Sequence, residues 1–66
     1  MEIVLNGSPH QLGDQVSVAE LIDSLNLSEK AVAVAVNRQI ISRPKWNAHQ
    51  LQAQDQVDVV RAIGGG

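Results

Sequence analysis

Apolar positions along this chain switch from a strand-like spacing to a helical one and back. Glu2-Ile3-Val4-Leu5 is a short β-type run, and Asn6-Gly7 follows it. Asn-Gly is a strong hairpin signal, because a two-residue turn of this kind needs positive φ at both central positions. Ser8 to Leu12 is then the return strand. Pro9 assigns it to a sheet edge, since proline has no N–H to give to a ladder. Gly13-Asp14 ends it.

The next segment has helical spacing. Ser17-Val18-Ala19-Glu20 reads as a capping box, in which the Ser17 hydroxyl and the Glu20 carboxylate accept from each other's backbone donors. Val18, Leu21, Ile22 and Leu25 fall at i, i+3, i+4 and i+7, one apolar stripe. Asn26 suits the left-handed conformation that closes a helix, and Leu27 can fold back on the last turn. A helix of about nine residues is too short to stand alone in water and must lie on an apolar surface.

That surface is a sheet. Ala31-Val32-Ala33-Val34-Ala35-Val36 alternates strictly, so in a strand the valines share one face and the alanines the other. Asn37-Arg38-Gln39 reads as a turn, and Ile40-Ile41-Ser42 as a brief strand stopped by Arg43-Pro44. Lys45 to His49 reads as an irregular connection or single helical turn, with Trp46 over a core edge. Ala53-Gln54-Asp55 is a turn, and Gln56 to Ile63 the last strand. The order predicts an α+β domain over residues 1–63, a mixed sheet of four or five strands with one helix across one face. The covered face takes Ile3, Leu5, Val34, Val36, Val57 and Val59. The other face carries Val4, Ala33, Ala35, Val60 and Ala62, a set of small apolar groups open to a partner's side chains.

Composition narrows the functions. A chain of 66 residues makes one thin-cored domain. It has no cysteine, which excludes disulfides, a zinc-thiolate site and a cysteine nucleophile. A net charge of -2 gives no electrostatic reason to bind nucleic acid. The chain starts without the basic segment and apolar run of a signal peptide, and no stretch is long enough to span a membrane. These features suggest a soluble, cytoplasmic protein, a monomer when free. His10 and His49 lie in different segments, so no metal site is expected. Asp55 is in a turn and Asp58 on a strand, which gives little support to paired-carboxylate catalysis. Arg38, Arg43, Lys45 and Arg61 could form a local basic area facing acidic partner surfaces.

The last residues, Gly64-Gly65-Gly66, add nothing to a fold, because glycine loses the most backbone entropy on ordering and buries no side chain. They read as a flexible tail, residues 64–66, reaching about 10 Å when extended. Such a tail suits a narrow channel in which a Cβ would collide with the walls. The group delivered is the Gly66 α-carboxylate, ionised at neutral pH. An ionised carboxylate is a poor acyl donor and needs activation, ordinarily as an acyl-adenylate. The three glycines lack the lysine and following helix of a phosphate-binding loop, so the activating chemistry belongs to a partner. No catalytic residue is assigned to this chain.

Val34-Ala35-Val36-Asn37, the Ile40-Ile41 strand, Arg43 with Trp46 three residues on, and the Ile63-Gly64-Gly65-Gly66 end together resemble the ThiS family of thiamine-biosynthesis sulfur carriers. That resemblance covers nearly the whole chain. It implies a β-grasp fold, similar to ubiquitin. It also implies that a ThiF-like adenylating enzyme activates Gly66 with ATP and Mg²⁺, and that no cofactor is bound by the chain itself. Sulfur derived from cysteine through a desulfurase then gives a Gly66 thiocarboxylate, and a ThiG-like thiazole synthase accepts the sulfur. Gly64 and Gly65 would enter the partner's active site. A carrier for molybdopterin or another sulfurated product, a ubiquitin-like modifier forming isopeptide bonds, and a non-reactive interaction domain remain alternatives.

Overall fold

The computed structural model describes residues 1–61. Its strands are β1 (Glu2–Leu5), β2 (Ser8–Gln11), β3 (Val32–Val36), β4 (Gln39–Ile41) and β5 (Gln56–Arg61). They form one five-stranded sheet in the order β2-β1-β5-β3-β4. Helix α1 (Val18–Ser24) connects the first hairpin to β3. β5 runs parallel to β1 and antiparallel to β3, so the sheet is mixed.

The first hairpin turns on Asn6 (φ 51°) and Gly7 (φ 83°), with Leu5 opposite Ser8. β2 is an edge strand, and Pro9 sits on it opposite Val4. Pairing runs one step past β2. The Met1 ammonium donates to the Leu12 carbonyl at 2.7 Å, and the Leu12 N–H donates to the Met1 carbonyl at 2.8 Å.

The capping box forms as the sequence predicts. The Glu20 N–H donates to Ser17 Oγ at 3.1 Å, and the Ser17 N–H donates to Glu20 Oε1 at 3.1 Å. Two further donors of the first turn are satisfied by the segment that follows β4: Val18 N–H to the His49 carbonyl at 3.0 Å and Ala19 N–H to the Trp46 carbonyl at 3.2 Å. The helix has seven residues rather than about nine. Ser24 Oγ donates to the Leu21 carbonyl at 2.7 Å, which also accepts from the Leu25 N–H at 3.1 Å. Asn26 then takes φ 60°, and the Leu27 N–H folds back to the Ile22 carbonyl at 3.0 Å.

The second hairpin is tighter than the sequence suggests. Asn37 (φ 50°) and Arg38 (φ 70°) form the turn alone, and Gln39 joins β4 opposite Val36. A two-residue turn with both φ values positive matches the strand twist, which draws Gln39 into the ladder. Asn37 anchors the turn to its neighbours. Its Nδ2 donates to Asp55 Oδ1 at 3.1 Å, and its Oδ1 accepts from the Gln56 N–H at 2.9 Å. Ser42 lies outside β4 and caps a 3-10 turn over Arg43–Lys45, so the helical turn begins at Arg43, before Lys45.

The buried core is Ile3, Val18, Leu21, Ile22, Val34, Val36, Trp46, Leu51 and Val57. Of the residues expected on the covered face, Leu5 and Val59 are only half-buried, packed at its margin. Leu51 is the addition. It lies in a connection without periodicity, where its N–H donates to the Val16 carbonyl at 2.8 Å and the adjacent Gln50 bridges Ser17.

Candidate functional site

Antiparallel pairing places Arg61 of β5 opposite Val32 at the start of β3. Arg61, the last described residue, therefore lies at that end of the sheet. Gly64, Gly65 and Gly66, with Ala62 and Ile63, lie outside the described residues. The structure thus fixes the platform from which the segment departs.

Register defines the open face of that platform. Partners across a ladder share a face, so Ala33 with Val60, Ala35 with Asp58 and Ile40, and Val4 with Gln56 and Pro9 all lie on the side away from α1. Ala33, Ala35, Ile40 and Val60 make its apolar part. Val60 is 62% exposed and Ile40 74% exposed, and these are the large exposed hydrophobic residues among the described ones. Val4 shares the face but sits beyond Gln56, on β1. Ile40 was absent from the sequence-based set. Its place depends on the turn length, and a three-residue turn at Asn37-Arg38-Gln39 gives no register for β4.

The β1 flank of β5 near this end is closed by a side chain. Pairing of β1 with β5 ends at Leu5 opposite Val57. Beyond it, the Val59 N–H donates to Asn6 Oδ1 at 2.8 Å, and the Asn6 N–H donates to the Val57 carbonyl at 2.9 Å. The first turn thus carries β5 past the end of β1 without leaving the Val59 N–H unpaired.

The basic residues divide between the two ends. Arg38 is at the β3–β4 turn, the end away from Arg61. Arg43 follows β4, and its guanidinium donates to the Ser28 carbonyl at 3.0 Å and to the carbonyl of Lys30 at 2.8 Å, two residues before the Val32 that pairs with Arg61, while Lys45 is exposed at the end of the same 3-10 turn. The histidines are also apart. His10 lines a groove of about 500 Å³ with Leu12, Val16, Glu20 and Leu25, whereas His49 lines one of about 260 Å³ with Asn37, Gln52 and Asp55. Among the described residues, no three His, Asp or Glu side chains gather as a metal-binding group. Asp55 serves the turns, accepting from Asn37 Nδ2 and from the Gln52 N–H at 2.8 Å. Asp58 is exposed on the open face.

The profile of the ThiS family matches residues 3–66. The chain belongs to the ThiS family. The sulfur carrier protein ThiS of Escherichia coli is 33% identical over 66 residues, an alignment that covers 100% of both chains. A thiazole synthase of Magnetococcus marinus is 39% identical over 66 residues, but this chain spans only 20% of that protein. The crystal structure of the thiamine biosynthesis protein ThiS from Geobacter metallireducens superposes with a TM-score of 0.86 at 26% identity, over 100% of each chain. The solution structure of a thiamine biosynthesis protein from that organism gives 0.82 at 26% identity, over 100% of this chain and 88% of the other. The five-stranded mixed sheet with its single helix is the β-grasp fold of these ThiS structures.

Proposed function

We propose that this chain is a sulfur carrier for the thiazole ring of thiamine, and that Gly66 is the residue charged. The observation that carries the reading is the end-to-end match with the Escherichia coli sulfur carrier, which covers the whole of both chains. The similarity to part of a thiazole synthase supports the product assigned.

The chemistry divides between the chain and its partners. A ThiF-like enzyme uses ATP and Mg²⁺, and the Gly66 carboxylate displaces pyrophosphate to form an acyl-adenylate. A cysteine desulfurase takes sulfur from cysteine as a persulfide, whose terminal sulfur displaces AMP to give an acyl disulfide, and a thiol reductant cleaves the S–S bond to leave the thiocarboxylate. A ThiG-like thiazole synthase takes the sulfur, and the carboxylate returns for another cycle. Gly64 and Gly65 serve as a slim tether, and the chain is a co-substrate rather than an enzyme. The open face, with Val4, Ala33, Ala35 and Val60 joined by Ile40, docks the partner. Apolar surface at the centre of such a contact excludes water around the tether.

Intact mass after incubation with the adenylating enzyme, ATP and a sulfur source tests the reading. Replacement of one oxygen by sulfur, mapped to Gly66, is the expected result. An unchanged mass with an enzyme of demonstrated competence overturns it, and lysine-linked adducts identify a modifier instead. A strain lacking the protein should recover on the thiazole half of thiamine. A requirement for molybdenum-cofactor products transfers the assignment to that pathway.

A further inference from the structure

We propose that Lys30, Arg43 and Arg61 form a cationic collar at the end of β5, and that the collar docks a carboxylate-rich protein surface on the adenylating partner. This inference rests on the carrier reading above and names the chemistry of the contact.

Topology assembles the collar from three separate segments. Arg61 lies opposite Val32 across the β3–β5 ladder, and Lys30 precedes Val32 by two residues. Arg43 reaches the same place from beyond β4, with Nη2 on the Lys30 carbonyl at 2.8 Å. All three residues are exposed. Arg43 is also held in place, because its guanidinium lies 4.4 Å from the Trp46 ring centroid and bonds the Ser28 carbonyl at 3.0 Å. A cation fixed before binding loses little freedom on docking.

The charge distribution is uneven. The collar sets three cations against two neighbouring carboxylates, Glu29 and Asp23, whose Oδ1 accepts from Ser28 Oγ at 3.3 Å, in a chain of 5 basic and 7 acidic residues. The remaining residues therefore hold two cations against five carboxylates. A protein of net charge -2 thus presents its positive side at the end from which its last residues depart.

Reach limits where the partner lies. Five residues follow Arg61, and even fully extended they span at most about 17 Å. An enzyme closed on Gly66 therefore covers the surface around Arg61. The screening length at physiological salt is about 8 Å, so charges at that contact count far more than those at the opposite end. Arg38 is separated from the collar by the length of β3, roughly 13 Å. The surface beside the collar favours a protein over a polyanionic strand or membrane. Val60 and Ala33 lie on the opposite face of the same strand ends, so a partner that wraps this end of the sheet meets an apolar patch on one side and the cations on the other.

The test measures adenylation, by ATP–pyrophosphate exchange with the cognate ThiF-like enzyme, as the carrier concentration and salt are varied. The Lys30→Glu/Arg61→Glu double variant is expected to raise KM roughly tenfold and to flatten its salt dependence. The neutral Lys30→Gln/Arg61→Gln variant should fall between it and the wild type, and Arg38→Glu should stay within about twofold of the wild type. Unchanged melting of the double variant assigns the change to the contact, and the neutral pair serves if the reversal unfolds. If the wild type is exchanged normally and both double variants match Arg38→Glu in KM and salt slope, the collar is overturned while the carrier reading stands. If the wild type itself supports no exchange, the carrier reading fails and the collar with it.

Discussion

The guanidinium of Arg43 lies 4.4 Å from the centroid of the Trp46 ring. The same group donates to two carbonyls of the loop after α1, Ser28 at 3.0 Å and Lys30 at 2.8 Å. Trp46 is itself fixed by an indole N–H to the Ile41 carbonyl at 2.8 Å and by burial in the core. One side chain therefore ties the loop that leads into β3 to the turn that follows β4. The motif that marks the family in the sequence is a clamp on the end of the sheet from which β5 departs.

The clamp predicts a graded cost. Lysine keeps the charge but loses the planar fork, so Arg43→Lys should lower stability by about 1 kcal/mol. Arg43→Ala removes the ring contact as well, and should lower it by about 2 kcal/mol. Urea denaturation measures both. Equal stability of Arg43→Lys and the wild type would show that the forked bonds contribute nothing beyond charge.

Arg38 predicts the opposite sign. It adopts φ 70° in the second hairpin, where glycine avoids the Cβ clash. Its side chain is exposed, and the first hairpin already uses Asn-Gly at the equivalent positions, Asn6-Gly7. Arg38→Gly should therefore stabilise the domain by about 0.5–1 kcal/mol, with a melting temperature higher by a few degrees. A lower melting temperature would mean that the flexibility glycine adds to the unfolded chain outweighs the relieved strain.

The two hairpins also show what was legible in the sequence. Asn6-Gly7 gave the first turn and its register directly, because glycine advertises positive φ. Asn37-Arg38 adopts the same geometry without a glycine, so the turn was read one residue too long and Ile40 had no face. The capping box and apolar stripe located α1, and Asn26, at φ 60°, ends it as its residue type suggests. Leu51 was missed because it is held by a backbone bond to Val16 in a segment without a repeating pattern. The candidate site was visible in part. The alternation of β3 marked Ala33 and Ala35, but the meeting of Lys30, Arg43 and Arg61 depends on strand order and on a side chain reaching across segments.

Val34 tests the core. It is fully buried on β3, between β4 and β5, opposite Ile41 and Val59. Val34→Asp places a carboxylate where no partner waits, at a cost of several kcal/mol against a total of about 5–15 for an ordinary domain. The variant should be unfolded at neutral pH by circular dichroism. A native spectrum would show that the sheet opens to water at this point.

Gly66 separates charging from folding. Deleting it removes no described core contact, so the melting temperature should stay within about one degree of the wild type. Thiocarboxylate formation should vanish, since the new terminal carboxylate stops about 3.5 Å short. Intact mass reads the second effect and calorimetry the first. Charging at Gly65 at the normal rate would show that the partner tolerates a shorter tether and that Gly66 is not required.

The open face separates docking from folding in the same way. Ile40 and Val60 are 74% and 62% exposed, so neither holds the core together. Replacing them by serine leaves the β4 and β5 backbone bonds in place and removes apolar surface on one side only. Stability should change by less than about 0.5 kcal/mol for each. If the face docks the adenylating enzyme, each loss of a buried aliphatic group should cost about 1–2 kcal/mol of contact, close to a tenfold rise in KM. The salt dependence should remain that of the wild type, because no charge is altered. This distinguishes the apolar face from the cationic collar. Ile40→Ser and Val60→Ser should shift KM at every salt concentration alike, whereas reversal of Lys30 and Arg61 should have its largest effect at low salt. Unchanged KM for both serine variants, with the collar variants impaired, would place the enzyme on the helix side of β5.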